Sequence, residues 1–97
     1  MSDTSFLDTL EAVIARRLEE PSEGSYTARL AAQGTLKVAQ KVGEEAVELA
    51  IAAAAQDRAH VTAEAADLLY HLLLLLKLRD LKLADVVAEL EARHRVR

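Results

Sequence analysis

Between Leu68 and Leu78 the chain places leucine at positions 68, 69, 72, 73, 74, 75, 76 and 78. At 3.6 residues per turn those side chains cover the whole circumference of a helix rather than one stripe. A helix that is apolar all round must be buried all round. One domain of 97 residues can hardly surround it, so the sequence predicts a homodimer, or a higher oligomer such as a tetramer, with this helix near the subunit interface. His71, Lys77 and nearby Asp67 interrupt the run, which also falls short of the ~20 residues of a membrane span. It reads as a buried helix rather than a membrane one.

The rest of the chain follows the same period. Phe6, Leu7, Leu10, Val13, Ile14 and Leu18 fall on one face of a first helix over about residues 5–19, ended by Pro21 and Gly24. A short helical segment over 25–32 is capped by Ser25 and closed by Gly34. A second long helix over 35–55 takes Thr35 as its cap and runs through Gly43, which costs a helix about 1 kcal/mol relative to Ala and points to close packing or room for a ligand. Residues 56–60 read as a connection, with Asp57 or Thr62 as alternative caps for the third long helix, which ends near Arg79. Val86, Val87 and Leu90 give an apolar stripe to a last, charged helix. Short connections make this an all-α antiparallel bundle: one domain of four main helices and a short segment, completed by dimerisation.

Net charge is -4 with acids and bases interspersed, so there is no electrostatic footprint for nucleic acid or an anionic membrane. The absence of cysteine excludes disulfides and thiolate ligands, and the acidic start Met1-Ser2-Asp3-Thr4-Ser5 lacks the base and apolar stretch of a secretory signal. A cytoplasmic protein is expected.

Against that background, two pairs of acids stand out: Glu45 and Glu48, which follow Glu44 directly, and Glu64 and Asp67, with fifteen residues (49–63) between the pairs. Three-residue spacing puts both members of a pair on one helix face. Taken singly, Lys37, Lys41, Glu44, Glu45 and Glu48 are what a solvated face looks like, and Glu64 suits the first turn of a helix. Asp67 does not, because it opens the helix that has to be buried, with His71 one turn on as a candidate hydrogen-bond partner. If the helices pack side by side, four carboxylates converge and require a cation between them. Oxygen ligands without thiolate indicate Mg²⁺ or Mn²⁺, and such an ion implies a phosphate or polyphosphate ester as substrate. Lys37 and Lys41 are placed to neutralise phosphate oxygens, Arg29 offers a bidentate contact, and Tyr26 or Ser25 could bond to sugar or base. A di-iron bundle would need Glu-x-x-His on two helices, and only Glu91-Ala92-Arg93-His94 matches, on a charged terminal helix. His60 and His94 read as surface residues.

Glu-Glu-x-x-Glu followed by Glu-x-x-Asp resembles the signature of the all-α nucleoside-triphosphate pyrophosphohydrolases, the MazG-like superfamily. Gly24-Ser25-Tyr26-Thr27-Ala28-Arg29-Leu30, Gly34-Thr35-Leu36-Lys37, Lys41 to Glu48 and Glu64 to His71 narrow it to a resemblance with the phosphoribosyl-ATP pyrophosphatases of histidine biosynthesis, over nearly the whole chain. The resemblance implies a Mg²⁺-dependent homodimer that hydrolyses the α-β phosphoanhydride of phosphoribosyl-ATP to phosphoribosyl-AMP and pyrophosphate. Bifunctional relatives carry a cyclohydrolase domain ahead of this one, so only the pyrophosphatase step is expected here. It implies that Glu45, Glu48, Glu64 and Asp67 hold the metal, with Glu45 and Glu48 catalytic through it. Glu44 is then the candidate for orienting or deprotonating the attacking water, or for a second metal. Two other readings use the same residues: a housekeeping pyrophosphatase of non-standard triphosphates, and a non-catalytic helical dimer that binds metal or a partner.

Overall fold

In the computed structural model, residues 4–95 are described; the acidic start at Met1 to Asp3 lies outside them. Among the described residues there are five helices, α1 Phe6–Glu19, α2 Tyr26–Ala32, α3 Thr35–Ala55, α4 Arg58–Leu78 and α5 Leu83–Arg93, and no strand. The chain is all-α, as its patterning predicts. The core of Ile14, Leu30, Val38, Leu73 and Leu74 joins α1 and α2 to the open end of the α3–α4 hairpin. The turn end of that hairpin projects beyond it. The radius of gyration of 14.8 Å accordingly exceeds the ~13 Å of a compact chain this long.

The local signals explain most boundaries. Ser25, in extended backbone, accepts a hydrogen bond from the Ala28 amide at 3.1 Å and starts α2. Gly34, not Thr35, caps α3, which corrects the sequence expectation. Its φ of +98° favours glycine, and the one residue serves two helices: its N–H donates to the Ala31 carbonyl while its carbonyl accepts from the Lys37 and Val38 amides. Of the two candidate caps for α4, Asp57 is the one used, accepting from the His60 amide at 3.0 Å. The connection from α3 therefore shrinks from residues 56–60 to Gln56 and Asp57. α4 closes in a Schellman motif, with the Leu81 amide on the Leu76 carbonyl, the Asp80 amide on the Lys77 carbonyl, and Asp80 itself at φ +58°. α5 is tied back to α1 by the Glu11 carboxylate, which accepts from the Leu83 amide at 2.7 Å.

Two further expectations change. Nothing lies within 4 Å of where a Cβ on Gly43 would stand, so close packing is not its reason. Nor is α4 covered all round within one chain. Leu73 and Leu74 are buried, but Leu68, Leu72, Leu75 and Leu76 are half-buried and Leu69 is exposed. The physical reason is that α1, α2 and α3 cover only part of its circumference. Larger apolar exposure sits on α3, where Leu36, Val47 and Ile51 face outward.

Candidate active site

The short α3–α4 connection makes the two helices an antiparallel pair and brings Glu45 and Glu48 of α3 beside Glu64 of α4. One carboxylate oxygen from each lies within 4.8 Å of the other two. Glu45 is buried, Glu64 partly so and Glu48 exposed, so the cluster opens to solvent on one side. The crowding has an electrostatic signature. Partial desolvation, then the charge of Glu48 and a hydrogen bond with it, then Asp67 and Glu45, hold the Glu64 carboxyl above its ordinary value.

Asp67 stands differently from its expectation. It is exposed, and it falls outside the three-acid cluster, acting on it through its charge. Its position one turn along α4 puts it at the rim because that side of α4 is left uncovered. His71 does not pair with the Asp67 carboxylate; its Nδ1 donates to the Asp67 main-chain carbonyl at 2.7 Å. Nε2 of the same ring lies 2.8 Å from the Tyr26 hydroxyl.

The cationic side of the site is Lys41, one turn before Glu45 on α3, whose Nζ lies 3.4 Å from Glu45 Oε1. Desolvation pulls the Lys41 pKa down, but the hydrogen bond to Glu45 and the charges of Tyr26, Glu45 and Glu44 outweigh it, so the net shift is upward and the side chain stays cationic. Lys37, a turn further back, is half-buried and has no ion-pair partner among the described residues. Arg29 is exposed and donates to the Glu23 carbonyl at 3.1 Å, bracing the loop before α2. The Ser25 oxygen is occupied as the α2 cap. Glu44 accepts from Gln40 Nε2 at 3.0 Å and, with Gln40, Gly43, Val47 and Glu48, lines an open cavity of about 480 Å³ on α3. Glu48 thus borders both the acidic cluster and that cavity, and Gly43 leaves room beside them.

Two features lie outside the predicted set: Gln40 donates to Glu44 across an i,i+4 pair that the helical spacing does signal, and a partly buried polar seam, Thr27 with the Tyr70 hydroxyl beside Tyr26 with His71, pins α2 onto α4. Residues 43 and 45 positions apart make that seam, so no local pattern signals it. His60, paired with Asp57, and His94, on the Leu90 carbonyl, are exposed as expected.

Chemically, three carboxylates with an adjoining lysine are a set of groups that could hold a hard divalent cation beside an anion. The donor set is compatible with a hard divalent cation: it offers only oxygen, leaves an open side, and gathers like charges that, after partial desolvation, add to the upward shift of Glu64.

Residues 7–94 match the model of a family described as phosphoribosyl-ATP pyrophosphohydrolase. The chain is 60% identical over 89 residues to a phosphoribosyl-ATP pyrophosphatase of Pyrobaculum neutrophilum, covering 92% of this chain and 95% of the relative. It is 57% identical over the same length to the protein of that name from Pyrobaculum islandicum. It is also 52% identical over 92 residues to the histidine biosynthesis bifunctional protein HisIE of Xanthomonas campestris, of which it spans 45%.

Proposed function

The chain belongs to the phosphoribosyl-ATP pyrophosphohydrolase family, and on that footing we propose that it hydrolyses phosphoribosyl-ATP between the α and β phosphates, releasing phosphoribosyl-AMP and pyrophosphate in histidine biosynthesis. The observation that carries the mechanism is the convergence of Glu45, Glu48 and Glu64 within 4.8 Å. These three would hold Mg²⁺ or Mn²⁺, with Asp67, exposed at the rim and felt by Glu64 through its charge, as a fourth acid. When bound, the ion polarises phosphate oxygens and offsets the charge that grows on the leaving pyrophosphate.

The chain's own groups do the rest. Lys41, kept cationic by Glu45 and Glu44, neutralises phosphate oxygens beside the cluster, and Lys37 extends that charge one turn along α3. Glu44, held by Gln40 at the edge of the cavity next to Glu48, orients the attacking water and takes its proton. Tyr26 and Ser25 stand at the start of α2, where the nucleoside part of the substrate is bound, with Arg29 bracing the preceding loop.

The protein works as a homodimer in the cytoplasm. Leu36, Val47 and Ile51 on α3, Leu69 on α4 and Leu90 on α5 are apolar side chains that one chain leaves exposed, and a second copy would cover them. No described helix is long and apolar enough to cross a membrane.

The assay is pyrophosphate release with Mg²⁺ from phosphoribosyl-ATP, run beside ordinary and modified nucleoside triphosphates. Phosphoribosyl-ATP is preferred by orders of magnitude. Equal or better turnover of a non-standard triphosphate would transfer the protein to housekeeping hydrolysis. No release from any nucleotide would make it a binding dimer.

A further inference from the structure

The seam between α2 and α4 has a direction written into it. The Asp67 carbonyl can only accept, so the His71 nitrogen facing it, Nδ1, must carry the proton. In the neutral ring Nε2 is then a lone pair, and the hydroxyl 2.8 Å away, that of Tyr26, must donate to it. The one proton of the Tyr26 hydroxyl is thereby used. What remains on that oxygen for any other partner is acceptor capacity alone.

We propose that His71 is a positioning residue that fixes Tyr26 as an acceptor-only contact, so that Tyr26 takes a hydrogen-bond donor of the substrate's nucleoside part, a sugar hydroxyl or a ring amine, and not a phosphate oxygen. This rests on the functional reading above and adds to it which part of the substrate α2 reads and through which atom. The placement supports it. Glu64, Asp67 and His71 follow one another at three- and four-residue spacing on one face of α4, so His71 lies roughly 10 Å along the helix from the acidic cluster. That is about the separation of a sugar from the far end of its phosphate chain. Lys41, one turn before Glu45 on α3 and 3.4 Å from its carboxylate, supplies the cationic charge beside the cluster. His71 is 6% exposed and Tyr26 43%, so the ring is fixed inside while the hydroxyl carrier reaches the surface. The two rings meet edge to face at 5.8 Å, and Thr27 with Tyr70 holds the next residue of α2, which keeps the pair from swinging away.

Two measurements on the full-length protein test it. The first is the ¹⁵N-resolved imidazole spectrum of the protein, in which His71 shows the Nδ1–H tautomer and a lone pair on Nε2. His60 and His94 are told apart by the loss of one signal in His71→Gln. An Nε2–H tautomer at His71 would overturn the proposal outright. The second is steady-state kinetics of Tyr26→Phe, His71→Leu and the double variant. Each single change raises KM about 2- to 10-fold with kcat within twofold, and the double is no worse than the worse single, because both remove one contact. His71→Gln, which retains an acceptor for the Tyr26 proton, recovers part of the loss. Inhibition by pyrophosphate, which has no nucleoside, stays unchanged in Tyr26→Phe, a half-exposed position whose loss of one hydroxyl leaves the fold intact. A pyrophosphate affinity that weakens together with KM, or singles whose effects multiply, would contradict it. If the unmodified protein released no pyrophosphate at all, the functional reading would fail, and the tautomer would still decide whether Tyr26 is held as an acceptor.

Discussion

The two ends of the α3–α4 hairpin are built from the same two helices and obey opposite rules. At the open end Val38, Leu73 and Leu74 pack with Ile14 and Leu30, and each of the five is at most 4% exposed. At the turn end the facing positions are Glu45, Glu48 and Glu64, three like charges within 4.8 Å with one lysine for company. Burial holds the first end together; at the second it is reduced to Ala52 and the half-buried Leu49, Val61 and Ala65. The lesson is that the apolar end provides the rigidity that lets the acidic end keep an arrangement unfavourable on its own, which on the proposed function a cation would offset.

The sharpest way to break the comparison is to remove one charge. Glu48→Gln lowers pyrophosphate release roughly 10²–10³-fold at saturating Mg²⁺, with helical content unchanged in circular dichroism, because it removes a ligand and no packing. Glu44→Gln gives a fall of similar size without loss of metal binding if Glu44 serves the water; near-normal turnover would remove it from that role. The complementary change at the other end, Leu74→Ala, costs about 2–5 kcal/mol in denaturant unfolding. It leaves the metal affinity of the folded fraction as it was.

A smaller effect comes from pH. Glu64 keeps its proton to a higher pH in the folded, metal-free protein than in the unfolded chain, so folding takes up a proton between the ordinary value of 4.5 and the raised one. Metal-free stability therefore falls as pH rises through that window and is level above it. Mg²⁺ competes with the same proton, so its affinity weakens as pH drops through the window. Thermal melts with and without Mg²⁺ across mildly acidic pH test both signs, and Glu64→Gln removes the dependence. Least of all, Gly43→Ala stabilises the fold by up to about 1 kcal/mol, since α3 is helical there and the added methyl meets nothing within 4 Å. A destabilised Gly43→Ala would mean that the space beside Glu44 and Glu48 is filled in the working protein.

How much of this was legible beforehand follows from distance along the chain. The five helices follow from the apolar period, and Ser25 and Asp57 act as the caps their side chains suit. Glu45, Glu48 and Glu64 come together because i,i+3 spacing and a short connection leave little freedom, so three of the four predicted ligands converge. Asp67 does not join them, because the leucine run that implied its burial is itself only partly covered in one chain. Gly34 displaced Thr35 as a cap because a positive φ serving two helices at once outranks a hydroxyl, and side-chain type alone does not announce it. The Tyr26–His71 and Thr27–Tyr70 contacts were beyond reach of any local pattern, since packing of α2 on α4 creates them.

The central claim is that the three acids at the turn end form a divalent-cation site, and Mn²⁺ titration followed by electron paramagnetic resonance addresses it directly. The unmodified protein should take up Mn²⁺, Mg²⁺ should displace it, and Glu48→Gln, still helical, should bind at least tenfold more weakly. Equal Mn²⁺ binding by the two proteins would contradict the account.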